Sequence, residues 1–237
     1  MTLPHHLSQT SAQGFALNET VAQFEIGDQQ NFVYLIMDWE TKSAAVVDPQ
    51  KDLRPLLAPL REHGFSMSHI LLTHTHFDHV AGLAELADLF PPAKVYLHQN
   101  DAHRLTSKQV SENRFVFLND GALLNVGKLE VRALHTPGHS AGALSYFFKQ
   151  ASVKNTSWSY LLTGDTLFIR DCGRTDLPTG NTTSMYQSIQ KIKALPEAAV
   201  ILPGHHYAQE CASTLTKELL ESPPLRCASV SELEALP

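Results

Sequence analysis

Residues 71–82, LLTHTHFDHVAG, crowd His74, His76, Asp78 and His79 into one turn directly after an apolar run. Imidazole and carboxylate are costly to bury without partners, so this density asks for something to bind. In extended backbone the alternate residues His74 and His76 project to one side. Asp78 and His79 follow where the chain turns into a helix. Such a loop presents four ligand groups to one cavity. Nitrogen and oxygen donors without thiolate suit zinc, and also iron or manganese.

Three more strand ends carry groups of the same kind. LHTPGHSAG puts His139 in a Pro-Gly turn, LLTGDTLF puts Asp165 beside a glycine, and VILPGHHY repeats the Pro-Gly-His arrangement at His205. A lone strand-end histidine is ordinarily a hydrogen-bonded surface residue. Ligand-type groups at four separate strand ends point instead to one shared site. His206 is an alternative to its neighbour His205, and His135 reads as structural. His5, His6, His63, His69, His98 and His103 have no partner pattern and are assigned no role.

Around these loops, strands and helices alternate. VAQFEI (21–26), NFVYLIMD (31–38) and SAAVVD (43–48) are rich in β-branched and aromatic residues and broken by GDQQ and WETK, which predicts a hairpin meander. In KDLRPLLAPLREHG the residues Leu53, Leu56, Leu57 and Leu60 fall at helical spacing, with Gly64 placed as a C-terminal cap. Pro55 suits the first turn of that helix, whereas Pro59 removes a donor from its interior. A strand over 69–72, a helix GLAELADLF closed by Pro91 and Pro92, a strand AKVYLH and a polar helix over 100–105 follow. The second half offers strands LEVRALH, ALSYFF and WSYLLTGD, with KQASVKNTS as a hairpin loop. Then come a helix SMYQSIQKIKAL, a strand and turn AAVILPGHH, and a helix AQECASTLTKELL. Beyond Ser222 one short helical turn is expected. This order predicts an α/β protein, a four-layer αββα sandwich of two mixed β-sheets. A loose arm over 1–18, one domain over 19–222 and an extension over 223–237 packed on that domain complete the expected organisation.

Composition narrows the class. The 237 residues are 43% hydrophobic with a formal charge of −6, which speaks against nucleic acid or an anionic membrane as the main partner. No apolar run is long enough for a transmembrane helix, and the opening MTLPHHLSQTSAQGF does not read as a signal peptide. Cys172, Cys211 and Cys227 are odd in number and widely spaced, which suits reduced thiols in a cytoplasm.

Taken in order, HTHFDH, TPGHS, GDTLF and PGHHY, with VVDP around Asp48, resemble the motifs of the metallo-β-lactamase superfamily, whose fold is the sandwich just described. The resemblance implies His74, His76 and His139 for a first metal and Asp78, His79 and His205 for a second. Asp165 would bridge the two, and Asp48 would steady the loop from behind. Asp78 and Asp165 are the carboxylates it implies as catalytic. Two divalent metal ions follow, zinc first, with iron or manganese as alternatives. Within the superfamily, GDTLFIRDCGRTDLPTGN and PGHHY are similar to the glyoxalase II branch, the hydroxyacylglutathione hydrolases. There a basic residue at the CGR position and a tyrosine two after the last histidine contact glutathione, which carries to Arg174 and Tyr207. The planar fork of Arg174 suits a carboxylate, and a salt bridge with Asp171 or Asp176 is an equal alternative. The helical C-terminal region of glyoxalase II is mostly without a counterpart after His205. That leaves glutathione, coenzyme A and a carrier protein all open as the thiol carrier.

The implied site matches thioester chemistry. Two cations sharing a carboxylate lie about 3.5–4 Å apart and make water nucleophilic at neutral pH. A thiolate, with a reference pKa of about 8.5 for cysteine, leaves without a proton where an amine needs one. The expectation is a metal-dependent hydrolase acting on a small-molecule thioester, first of all an acyl-glutathione, as monomer or homodimer. IRDCGRTD also looks like the persulfide dioxygenases of this fold. Those bind one iron at the positions of His74, His139 and Asp165 and oxidise glutathione persulfide. PGHHY and DLPTGN favour the hydrolase. A non-catalytic binding module would require degenerate ligands, and none is degenerate.

Overall fold

Three strands, β1 (Val21–Ile26), β2 (Asn31–Asp38) and β3 (Ser43–Val47), form the antiparallel meander expected from their composition. The structure is a computed structural model describing residues 20–106, 110–150, 158–196 and 198–237. The arm over 1–18 and most of the KQASVKNTS loop lie outside the described residues. After helix α1 (Arg54–Glu62) the sheet continues in parallel through β4 (Ser66–Leu71), β5 (Lys94–Leu97) and β6 (Phe115–Phe117), giving the order β1-β2-β3-β4-β5-β6. Two short helices, α2 (Phe77–Val80) and α3 (Leu83–Leu89), connect β4 to β5.

The second sheet begins with β7 (Leu123–Val126), β8 (Leu129–His135), β9 (Leu144–Lys149) and β10 (Ser159–Gly164). A small ribbon of β11 (Leu167–Phe168) and β12 (Asp171–Cys172) and helix α4 (Thr182–Lys193) come next. Strands β13 (Ala199–Pro203) and β14 (Ser213–Thr214) then complete the order β14-β13-β10-β9-β8-β7. Helices α5 (Leu215–Glu221), α6 (Pro223–Arg226) and α7 (Val230–Glu234) follow.

Side-chain alternation along the strands builds the layers. In β2, Phe32, Tyr34 and Ile36 face the second sheet, while Val33, Leu35 and Met37 face α1 and α3. In β10, Tyr160 and Leu162 meet the first sheet and Leu161 packs under α4. Both faces of the central strands are covered, so apolar residues run consecutively, as in Phe32 to Met37 of β2, rather than on every second position. Three cores result, one between the sheets and one outside each, and this is the four-layer αββα sandwich.

Helix α1 ends as its sequence suggests. Gly64 takes φ +67°, and Phe65 N donates to Leu60 O at 2.8 Å, closing the turn with a residue that has no Cβ to clash. Helix α4 is capped by Asn181, whose side chain accepts from Ser184 N at 2.8 Å, and buries Met185, Ser188, Ile189 and Ile192.

Several expectations need correction. The helix read over AQECASTLTKELL starts only at Leu215: Ser213 and Thr214 pair with Ile201 and Val200 as an edge strand, and Thr214 then caps α5. A β-branched residue with a capping hydroxyl suits that switch better than a helix interior. The polar helix over 100–105 is a 3-10 turn, Gln99–Arg104. Beyond Ser222 there are two short helices rather than one turn. Strands β6, β7, β11 and β12 are additional: β6 and β7 are three and four residues and partly exposed, and β11 and β12 are two residues each, too short to show a pattern.

Candidate metal centre

The parallel strands β3, β4, β10 and β13 all deliver their C-terminal ends to one rim, where ligands gather in open α/β sheets. Asp48 follows β3, His74 and His76 follow β4, Asp165 follows β10 and His205 follows β13. His139 joins them from the loop after β8.

Three overlapping groups of side chains meet there. The donor atoms of His74, His76 and His139 lie within 4.8 Å of one another, as do those of Asp78, His79 and His205 and those of Asp48, His74 and His79. The carboxylate of Asp165 stands between the first two. Its Oδ2 is 3.5 Å from His139 Nε2, 3.9 Å from His74 Nε2 and 3.3 Å from His205 Nε2, and its Oδ1 is 3.4 Å from His79 Nε2. Asp78 Oδ2 lies 3.5 Å from His205 Nε2. All of these residues are buried except His76, which is half-buried.

The outward nitrogens are held by acceptors. His139 Nδ1 meets Arg174 O at 2.9 Å, His205 Nδ1 meets Gln29 O at 2.8 Å and His79 Nδ1 meets Asp48 Oδ2 at 3.2 Å. Each acceptor takes the Nδ1 proton on the outer side and leaves Nε2 to face the cluster. Asp48, at φ 52°, also accepts from Thr73 N at 2.7 Å and Thr73 Oγ1 at 2.5 Å. With its oxygens committed in this way, Asp48 orients the loop instead of facing the cavity. Asn31 Nδ2 donates to Asp78 Oδ2 at 2.9 Å, and Gln50 Nε2 holds Asn31 Oδ1 at 3.0 Å.

Burial holds the pKa of His74 well below the ordinary imidazole value, and the charge of His79 adds to it. Burial, then His139 and Arg104, bring His76 down to about 4. Burial opposes the charged form of Asp165 too, but the surrounding histidines, His79 foremost, outweigh it and keep the carboxylate ionised. His79 goes the other way: burial opposes its charge, but Asp165 and then Asp48 outweigh it and raise its pKa well above the ordinary imidazole value. The neutral His74 and His76 beside an ionised Asp165 suit a cation directly, and at His79 a cation would take the place of the proton. His74 Nε2 and Asp165 Oδ1 are buried with no hydrogen-bond partner, an arrangement that is unfavourable unless an ion satisfies it. The donor set fits divalent cations.

A cavity of about 790 Å³ opens over the cluster, walled by Phe77, Arg104, Phe168, Leu177 and Tyr207 among others. The Tyr207 ring stacks on His205 at 4.6 Å between centroids and 12° between planes. Arg174 reaches the same wall, with its guanidinium held by Asp176 through Nε and Nη2 at 2.6 Å each. His206 turns away and pairs with Glu25 at 2.7 Å. His135 stacks on His98 at 4.0 Å and contacts Ala141 O at 3.0 Å, outside the cluster.

Sequence reasoning missed Asn31, Gln50, Thr73, Asp101 and Arg104. Asp101 is buried, accepts from Ser140 Oγ at 2.7 Å and Gly142 N at 2.8 Å, and offers its carbonyl to Thr75 Oγ1 at 2.9 Å. It thereby ties the His139 loop to the His74 loop. The signal available was the polar HQND run directly after the apolar strand β5.

Residues 26–205 match the Metallo-beta-lactamase superfamily, and the chain belongs to it. The family holds divalent metals in His/Asp clusters of this kind. The hydroxyacylglutathione hydrolase of Cereibacter sphaeroides is 38% identical over 178 residues, which is 75% of this chain and 63% of that protein. The chain thus spans less than two thirds of that relative's length. A metallo-β-lactamase from Staphylococcus aureus subsp. aureus COL has a TM-score of 0.79 at 27% identity, covering 92% of this chain and 67% of that one. ETHE1 from Myxococcus xanthus has a TM-score of 0.76 at 26% identity, covering 92% of both. Among the described residues no helix is long and apolar enough to cross a membrane.

Proposed function

We propose that this protein is a metal-dependent thioester hydrolase, with an acyl-glutathione as its first candidate substrate. In this reading His74, His76 and His139 hold one divalent cation, Asp78, His79 and His205 hold a second, and Asp165 serves both. Zinc is the expected ion for such a nitrogen and oxygen set. The observation that carries the reading is the place of Asp165, within 3.5 Å of a histidine from each group. The relatives named hydroxyacylglutathione hydrolase support the substrate class.

When bound, the two cations supply Lewis-acid charge and bring the pKa of water to the neutral range. The chain's own part is to hold the acceptors. Asp48, Arg174 O and Gln29 O fix the imidazole orientations, and Asn31 fixes the Asp78 carboxylate. Tyr207, Phe168 and Leu177 form a wall against which the thiol portion rests. A thiolate departs without a proton donor, so that wall needs no dedicated acid.

The test is turnover of S-D-lactoylglutathione with metal content measured on the same sample. Asp165→Ala should reduce turnover by more than about 100-fold and deplete both ions, since it removes an inward ligand rather than an outer support. Undiminished activity would sink the bridging role. A second reading, a single-iron dioxygenase acting on glutathione persulfide, draws on IRDCGRTD and on the proximity of Asp165 to His74 and His139. Two zinc ions per chain favour hydrolysis; one iron with oxygen uptake favours that alternative.

A further inference from the structure

Arg104 belongs to none of the motifs above, yet it lines the cavity together with His76, Asp165 and Arg174. It closes the 3-10 turn Gln99–Arg104. Its Nη2 donates to Pro178 O at 2.8 Å and to Thr179 Oγ1 at 3.0 Å, both neutral acceptors. Among the described residues its Nε is buried with no hydrogen-bond partner, and no carboxylate lies within salt-bridge distance of its guanidinium. Arg174 is the opposite case: Asp176 sets a carboxylate beside it, taking its Nε and Nη2 at 2.6 Å each in an exposed pair.

A guanidinium keeps its charge at any pH a protein tolerates and offers five donors. One that stands in a cleft wall bound only to neutral oxygens, with no counter-charge among the described residues, keeps its charge available to an anion in that cleft. The acyl group must sit at the Asp165 cluster for attack, so a group bound by Arg104 belongs to the thiol portion.

We propose that Arg104 binds a carboxylate or phosphate on the thiol carrier and so sets a preference for charged over neutral thioesters, an assignment that rests on the hydrolase reading. Glutathione presents carboxylates and coenzyme A presents phosphates; both chemistries fit one guanidinium. Arg174 then acts mainly through its backbone, whose carbonyl holds His139.

The experiment uses metal-loaded protein and three lactoyl thioesters: of glutathione, of coenzyme A and of neutral N-acetylcysteamine. Arg104→Gln should raise KM for at least one anionic thioester about tenfold more than for the neutral one, as loss of a charge-assisted contact would. Arg104→Lys should recover part of that difference. Whichever carrier shows the effect identifies the anion. Equal losses on all three substrates would mean that Arg104 only holds the Pro178–Thr179 backbone. An Arg174→Gln variant that carries the whole charge preference would also overturn the assignment. If the unaltered protein hydrolyses none of the three, the hydrolase reading falls, and Arg104 is judged by calorimetric binding of S-methylglutathione and coenzyme A. Weaker binding of either by Arg104→Gln supports the anion contact; equal binding, or none by either protein, overturns it.

Discussion

Asp38, the last residue of β2, accepts from Thr41 Oγ1 at 2.6 Å, Lys128 N at 2.7 Å and Glu40 N at 3.1 Å. One carboxylate therefore joins the β2–β3 turn of the first sheet to the β7–β8 turn of the second. Burial alone would raise its pKa, but these donors outweigh it and hold the group below 3.8. A carboxylate depressed in the folded state stabilises above its unfolded pKa and loses that contribution as pH falls through the folded value. Asp38→Asn should cost about 1–2 kcal/mol at pH 7, measured by urea unfolding. The gap should narrow below pH 3.8; a gap of constant size from neutral to acid would show that ionisation is not the cause. Nothing in the local sequence marks Asp38, because Lys128 is brought beside it only when the sheets pack. The inward cluster is different: each of His74, His76, Asp78, His79, His139, Asp165 and His205 sits in one of the short motifs quoted above, so its members were legible in the sequence.

At the scale of elements, the strand ends decide the geometry. Gly204, between β13 and His205, lies so close to the cluster that a Cβ there would be 2.1 Å from Asp165 Oδ1 and 3.1 Å from His79 Cε1. Gly204→Ala must push the Asp165 carboxylate aside. We expect lower metal stoichiometry by elemental analysis, while the metal-free variant melts within about 4 °C of the parent, since the surrounding core is untouched. Two ions retained at unchanged affinity would show that the close approach is dispensable. The Pro-Gly-His pattern revealed this turn in the sequence. The opposite happened at AQECASTLTKELL, where apolar spacing suggested a helix while Ser213 and Thr214 pair along β13. Pairing energy comes from a distant strand, so a local pattern could not report it.

Across the whole molecule, residues after Ser222 close the outer core of the second sheet. Leu225, Cys227 and Leu233 are 1%, 5% and 6% exposed and pack with Met185, Ile189 and Ile192 of α4. Deleting 223–237 uncovers that face, at a cost of about 3–6 kcal/mol for the two leucines at typical burial values. Thermal unfolding should register this as a clear loss; an unchanged midpoint would mean the segment contributes little. By itself the sequence determined the layered order of strands and helices and the ligand types at the strand ends. Those follow from period-2 alternation, helical spacing and Pro-Gly turns, all read within a few residues. Only the tertiary structure decided that Asp101 ties two histidine loops together, and that Arg174 has a carboxylate beside it while Arg104, among the described residues, has only neutral acceptors. Each of those outcomes depends on which loops meet once two sheets have packed, and that meeting joins residues far apart along the chain.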